Sequence, residues 1–219
     1  MVKLIIFDWD DVITLGAKDG YYQCYRKTLK EFNIVFEEKE LHERIQRKWG
    51  QPFREVLREL LFEHPELLDK ATKIFDKKFW GNTFVDSLKG VESANRVLEN
   101  LSKKYKLAVA TGNHPTMLKE KIIPKFHIPE VFVQIITAFD IPIDKTKPNP
   151  YMLEQIMEKQ EVKPEECVYV GDAENDVLMA QNACVEPIVV LTGHLNKEKA
   201  EKLGVKKIFP DITYLEQIL

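Results

Sequence analysis

The chain has 219 residues, 44% of them hydrophobic, enough for one good core or two small ones. Charged residues make up 31% with both signs intermixed and a formal net charge of −3, which argues against a general nucleic-acid or membrane-surface binder. No apolar run approaches a membrane span, no signal-peptide pattern precedes the first strand, and three widely spaced cysteines argue against a disulfide framework. A reduced, cytoplasmic setting is therefore expected. Cys167 precedes a strand and Cys184 follows a helix, and both are expected to be buried structural thiols.

Val2 to Phe7 is an apolar, partly β-branched run that ends in Asp8-Trp9-Asp10-Asp11. It has the length of one buried strand of a parallel sheet. Thr14 to Gly20 reads as a turn-rich flap. From Tyr21 to about Trp80 no strand pattern occurs. Tyr21, Tyr22, Tyr25, Leu29 and Phe32 follow a helical period, and Glu38 to Trp49 reads as a second helix. Pro52 suits the first turn of a third, with Val56, Leu57, Leu60 and Leu61 as its stripe, and Pro65 opens a fourth. Trp49, Phe53, Phe62 and Trp80 are the expected core of this helical insert.

From Leu88 the pattern alternates. Helices are expected at Val91 to Lys103, after a Thr111-to-Pro115 loop and through Ile122, at Pro150 to Lys159, Ala173 to Gln181 and Lys197 to Leu203. Strands are expected at Lys106 to Ala110, Val131 to Thr137, Val168 to Val170, Ile188 to Leu191 and Lys207 to Phe209. This alternation implies an α/β fold, a Rossmann-like doubly wound parallel sheet with an inserted all-helical cap domain. The expected division is a core of residues 1–15 and 82–219 and a cap of residues 16–81. Short connections around Leu15-Gly16 and Gly81-Asn82 suggest that the cap moves as a lid.

In such sheets the chemistry lies beyond the carboxyl ends of the strands. Asp8 and Asp10, two apart on an extended end, point the same way. Two carboxylates facing one spot are costly without a cation between them, and hard oxygen ligands suit magnesium. A second acidic cluster follows the Val168-to-Val170 strand. Gly171-Asp172 is followed by Asp176, four residues from Asp172 and on one face of a helix opening there.

Four polar strand ends occur in order: Asp8 and Asp10, Thr111-Gly112-Asn113, Lys147-Pro148, and Gly171-Asp172 with Asp176. In order and spacing they resemble the haloacid dehalogenase superfamily. The position of the helical insert resembles the phosphoglycolate phosphatase and β-phosphoglucomutase branch. The resemblance implies a magnesium-dependent phosphatase acting on a small phosphorylated metabolite. Asp8 would be the nucleophile and form an aspartyl-phosphate, and Asp10 the general acid and base. Magnesium would be held by Asp8, Asp172 and the carbonyl of Asp10, with Asp176 ordering a bound water. Thr111, Lys147 and the amides of Gly112 and Asn113 would bind phosphate. Arg54, in a Gly50-to-Arg54 loop resembling the family's cap loop, would touch the substrate. The chain departs from the family pattern in Asp11, which stands where glycine is usual, and in His114, where lysine is frequent.

A β-phosphoglucomutase-like phosphotransferase needs the same core plus cap groups for a second phosphate. A dehalogenase lacks the second acid of the first motif, present here as Asp10. A receiver-like signalling domain also uses an acidic pair, a Thr and a Lys, but is shorter and accepts phosphate after its third strand. No nucleic acid or membrane partner is expected, and the chain is expected as a monomer or homodimer.

Overall fold

The computed structural model describes residues 1–48, 52–90 and 93–218. Trp49, Gly50, Gln51 and Val91 therefore lie outside the described residues. The chain divides into two compact units, Met1–Gly16 with Lys89–Leu219, and Ala17–Leu88. The helical unit thus runs to Leu88 rather than ending at residue 81, because one more helix, Asn82–Ser87, packs with it.

The first unit holds strands β1 (Leu4–Phe7), β2 (Thr14–Leu15), β3 (Lys89–Gly90), β4 (Lys106–Thr111), β5 (Phe132–Thr137), β6 (Cys167–Gly171), β7 (Glu186–Val190) and β8 (Lys207–Phe209). Six of them form one parallel sheet in the order β5-β4-β1-β6-β7-β8, while β2 and β3 make a small antiparallel ribbon. The order reverses at β1, which gives the doubly wound, Rossmann-like arrangement. All four residues of β1 are buried, as expected of a strand covered on both faces.

Side chains alternate between the faces. On one face Leu4 and Ile6 pack with Ala108, Ala110 and Tyr169 against Met152, Leu153, Ile156, Met179 and Ala180. On the other, Phe7 and Trp9 meet the Phe132 ring at 6.4 and 6.1 Å.

The second unit contains α1 (Ala17–Lys30), α2 (Glu38–Arg47), α3 (Phe53–Leu60), α4 (Leu68–Trp80) and α5 (Asn82–Ser87). Ala17 to Gly20, expected in a flap, instead form the first turn of α1. Its core is aromatic but differs in membership from the expectation. Phe53 stacks on Phe75 at 4.6 Å, Tyr25 lies tilted against the same ring at 4.7 Å, and Phe79 and Phe84 lie 4.7 Å apart. Phe62, expected inside, is 78% exposed. It falls in the turn after α3, whose buried stripe is Val56, Leu57, Leu60 and Leu61.

The remaining helices belong to the first unit: α6 (Ala94–Ser102), α7 (Pro115–Met117), α8 (Ile123–Phe126), α9 (Tyr151–Gln160), α10 (Glu174–Asn182), α11 (Lys197–Lys202) and α12 (Leu215–Ile218). A π turn at Leu118–Ile122 joins α7 to α8, next to Pro124, which has no N–H to donate. Among the described residues no helix is long and apolar enough to cross a membrane. Cys167 is buried as expected, but Cys184 is exposed. It follows the last turn of α10 in a left-handed conformation, φ 56°, which turns the chain into β7.

Candidate active site

Strand β1 sits between β4 and β6, with Phe7 level with Val109 and Val170. Asp8, the next residue, is fixed by its own amide, which donates to the Val170 carbonyl at 2.8 Å. Its carboxylate therefore stands between the end of β4, carrying Thr111, and the end of β6, carrying Asp172. Asp8 Oδ1 accepts from the Trp9 amide at 2.7 Å and lies 3.0 Å from Lys147 Nζ. Carboxylate oxygens of Asp8, Asp172 and Asp176 lie within 4.8 Å of one another, and all three residues are buried.

Burial pushes the Asp8 carboxyl up to about 6 against the pull of Lys147, with Asp176 adding to the rise. Burial, then Asp176 and Asp8, push Asp172 well above the usual carboxylate range. Burial also lifts Asp10 well above that range, helped by Asp8 and Asp11. For Lys147, burial disfavours the ammonium, but Asp176 and Asp8 outweigh it and raise its pKa. Three clustered carboxylates thus share one ammonium, which pairs with two of them, the electrostatic condition that a divalent cation relieves.

Asp176 is held more fully than the spacing suggested. Its Oδ2 accepts from the amides of Asp172 and Ala173 at 3.1 and 3.0 Å, closing the first turn of α10. Its Oδ1 accepts from Lys147 Nζ at 2.7 Å and lies 3.1 Å from the Tyr169 hydroxyl. Asp172 Oδ2 accepts from the His194 amide at 3.0 Å. Both carboxylates sit directly over glycines. A Cβ on Gly171 would lie 2.4 Å from Asp176 Cβ, and one on Gly193 would lie 1.8 Å from Asp172 Oδ2. Neither position has room for a side chain.

Asp10 Oδ1 accepts from Asn113 Nδ2 at 2.9 Å. The Asn113 amide donates to Thr111 Oγ1 at 3.2 Å. This is the local side-chain turn that a Thr two residues upstream offers the backbone. Thr111 is buried, and Gly112 is exposed beside it. Arg54 belongs to the second unit, where it donates to Thr72 Oγ1 at 3.2 Å and pairs with the exposed Asp69.

Asp11 has φ 57°. Asp tolerates this left-handed conformation better than most residues, which is how it stands in place of glycine. Its Oδ1 accepts from the Gly16 amide at 2.6 Å, and its carbonyl accepts from Thr192 Oγ1. Sequence reasoning missed this use of Asp11, the side chain of Asn113, Tyr169, and the Thr192-Gly193-His194 loop. For the last a signal existed: a Thr-Gly-His turn directly follows a strand run, like the other polar strand ends.

The chain belongs to the haloacid dehalogenase-like hydrolases, whose family model matches residues 2–183. It is 28% identical over 204 residues to a phosphorylated carbohydrates phosphatase of Thermotoga maritima, covering 91% of this chain and 89% of that protein. A phosphoglycolate phosphatase of Colwellia psychrerythraea is 24% identical over 217 residues, covering 94% and 92%. Among solved structures, a haloacid dehalogenase-like family hydrolase from Streptococcus pneumoniae superposes with a TM-score of 0.80 at 16% identity, covering 99% and 98%. That likeness is one of fold.

Proposed function

We propose that this enzyme is a magnesium-dependent phosphatase for a small phosphorylated metabolite, working through an aspartyl-phosphate on Asp8. The observation that carries the reading is the Asp8 carboxylate at the sheet's carboxyl edge, 3.0 Å from Lys147 Nζ and sharing a cluster with Asp172. Asp8 attacks phosphorus in line, and the phosphorus–alkoxide bond breaks. Asp10, whose raised pKa suits a proton carrier, gives its proton to the leaving oxygen. It then takes a proton from the water that hydrolyses the aspartyl-phosphate, which returns Asp8 and Asp10 to their starting states.

Asp8, Asp172 and the Asp10 carbonyl would hold Mg²⁺, with Asp176 ordering a water beside it. Oxygen-only donors packed this closely and buried suit a hard divalent cation. When bound, that ion neutralises charge on the phosphoryl oxygens. Lys147, the Thr111 hydroxyl and the exposed Gly112 amide are the proposed phosphate ligands, with Asn113 orienting both Thr111 and Asp10. Arg54 is the proposed contact to the organic part of the substrate. Releasing it from Asp69 breaks an exposed, solvent-screened ion pair and costs little. Three unpaired cysteines support a reduced, cytoplasmic compartment.

A panel of phosphorylated metabolites assayed for phosphate release tests the reading. At least one should turn over with Mg²⁺, stop with EDTA and resume when Mg²⁺ is restored. No release from any member in Mg²⁺, or undiminished release in chelator, contradicts it.

A further inference from the structure

We propose that Tyr169 is a positioning residue for this site: its hydroxyl holds Asp176, and through Asp176 the Lys147 ammonium, in register with Asp8. The part of this inference that concerns turnover rests on the phosphatase reading above.

Tyr169 lies on β6, level with Ile6 on β1, and is 1% exposed. Its side chain runs along the sheet face beneath the site, on the side where β4 presents Ala108 and Ala110. Those two small residues leave room for a ring that a larger side chain would fill. The hydroxyl reaches past β1 to the Ala110 carbonyl at 3.0 Å, one residue before Thr111. It also lies 3.1 Å from Asp176 Oδ1. Its single proton serves two acceptors, and the charged one forms the stronger bond.

The ring has a second use. Lys147 Nζ stands 5.5 Å from its centroid, within cation–π range. Lys147 therefore rests on the Tyr169 ring while it bonds Asp176, the carboxylate that the Tyr169 hydroxyl also holds. One buried side chain links the end of β4, the first turn of α10 and the lysine. A lysine has four rotatable bonds and is fixed only by what surrounds it. Asp8 and Asp176 bond the ammonium directly, and the Tyr169 ring and hydroxyl restrain where Asp176 and the ammonium meet.

The variant Tyr169→Phe keeps the ring and removes only the hydroxyl. Asp176 retains its two backbone donors and Lys147, so the fold is expected to persist, checked by circular dichroism and Tm. Two readouts decide the proposal. In protein labelled with ¹⁵N-lysine, the buried Lys147 ammonium should give a slowly exchanging NMR signal, and its hydrogen exchange should quicken about tenfold or more in Tyr169→Phe. With an identified substrate, kcat should fall between about 5- and 100-fold while KM changes less than about threefold, because misplacement weakens the transition state. Tyr169→Leu, which removes the ring as well, should quicken exchange further; if it does not fold, Tyr169→Phe decides alone. Unchanged Lys147 exchange in Tyr169→Phe overturns the proposal, whatever kcat does. Quickened exchange with wild-type kcat overturns the positioning role. If the wild-type chain releases no phosphate from any ester, the phosphatase reading falls by itself, and the exchange measurement still decides whether Tyr169 holds Lys147.

Discussion

Lys147 Nζ stands 2.7 Å from Asp176 Oδ1, although 29 residues separate the two in sequence. The same ammonium lies 3.0 Å from Asp8, so one cation joins the β1 carboxylate to the first turn of α10. Replacing Lys147 by Met should therefore harm both turnover and folding. A loss of about 10²–10³ in kcat is expected, the scale of one lost charge-stabilising group. The stability effect has a definite pH sign. Without Lys147 the folded-state pKa of Asp8 rises further above its unfolded value. Carboxylates protonated in both states feel no loss, so the variant is nearest wild type in acid. Its deficit should grow as pH rises through and beyond about 6, where Asp8 ionises in the wild type but is held protonated in the variant. Urea midpoints in EDTA, taken at several pH values for both proteins, measure this.

Asp11 combines a left-handed backbone with a hydrogen bond to the Gly16 amide, and a substitution series separates the two. Asp11→Asn keeps both features and should change Tm least. Asp11→Gly keeps the backbone and loses the bond, at about 1–2 kcal/mol. Asp11→Ala loses both, and about 2–3 kcal/mol is expected, or roughly 4–12 °C in Tm for a chain of this size. Thermal scans of the three variants check the order.

Arg54→Ala should raise KM for the identified substrate while sparing p-nitrophenyl phosphate, which offers little organic surface to bind. Because its partner Asp69 is exposed and screened by solvent, the substitution should leave the urea midpoint nearly unchanged. Equal kinetics for wild type and variant on the identified substrate remove Arg54 from the site.

The three cysteines should react at two very different rates. Burial pushes the thiols of Cys24 and Cys167 up to about 12, which keeps them protonated and shielded. Cys184 is exposed. A thiol titration of the native protein should label Cys184 promptly and the other two only after unfolding. Mass mapping of the labelled peptides identifies them.

The parallel sheet was legible because its strands are short and mostly apolar, β1 and β6 above all, and each polar strand end announced a loop at the same edge. Asp8, Asp172, Asp176 and Lys147 were legible by residue type and spacing, and they do converge. The unread parts depend on three-dimensional packing. Phe62 fits an aromatic core by composition, but it lies one turn beyond its helix and faces solvent. Helix α5, six residues long, is too short to show a helical period. Tyr169 reads as one apolar residue in a strand, and only the juxtaposition of β4, β1 and β6 brings its hydroxyl to Asp176. Gly193 carries no chemistry in sequence, yet Asp172 occupies the space its side chain would need.

Asp8 is the residue expected to become phosphorylated during turnover. The most direct measurement is rapid quenching of the enzyme with a phosphorus-labelled substrate in Mg²⁺, followed by peptide mapping. Acid-stable, base-labile label should appear on the peptide carrying Asp8 and be absent from Asp8→Asn, which should also lose turnover. Label on another residue, or full activity in Asp8→Asn, contradicts the account.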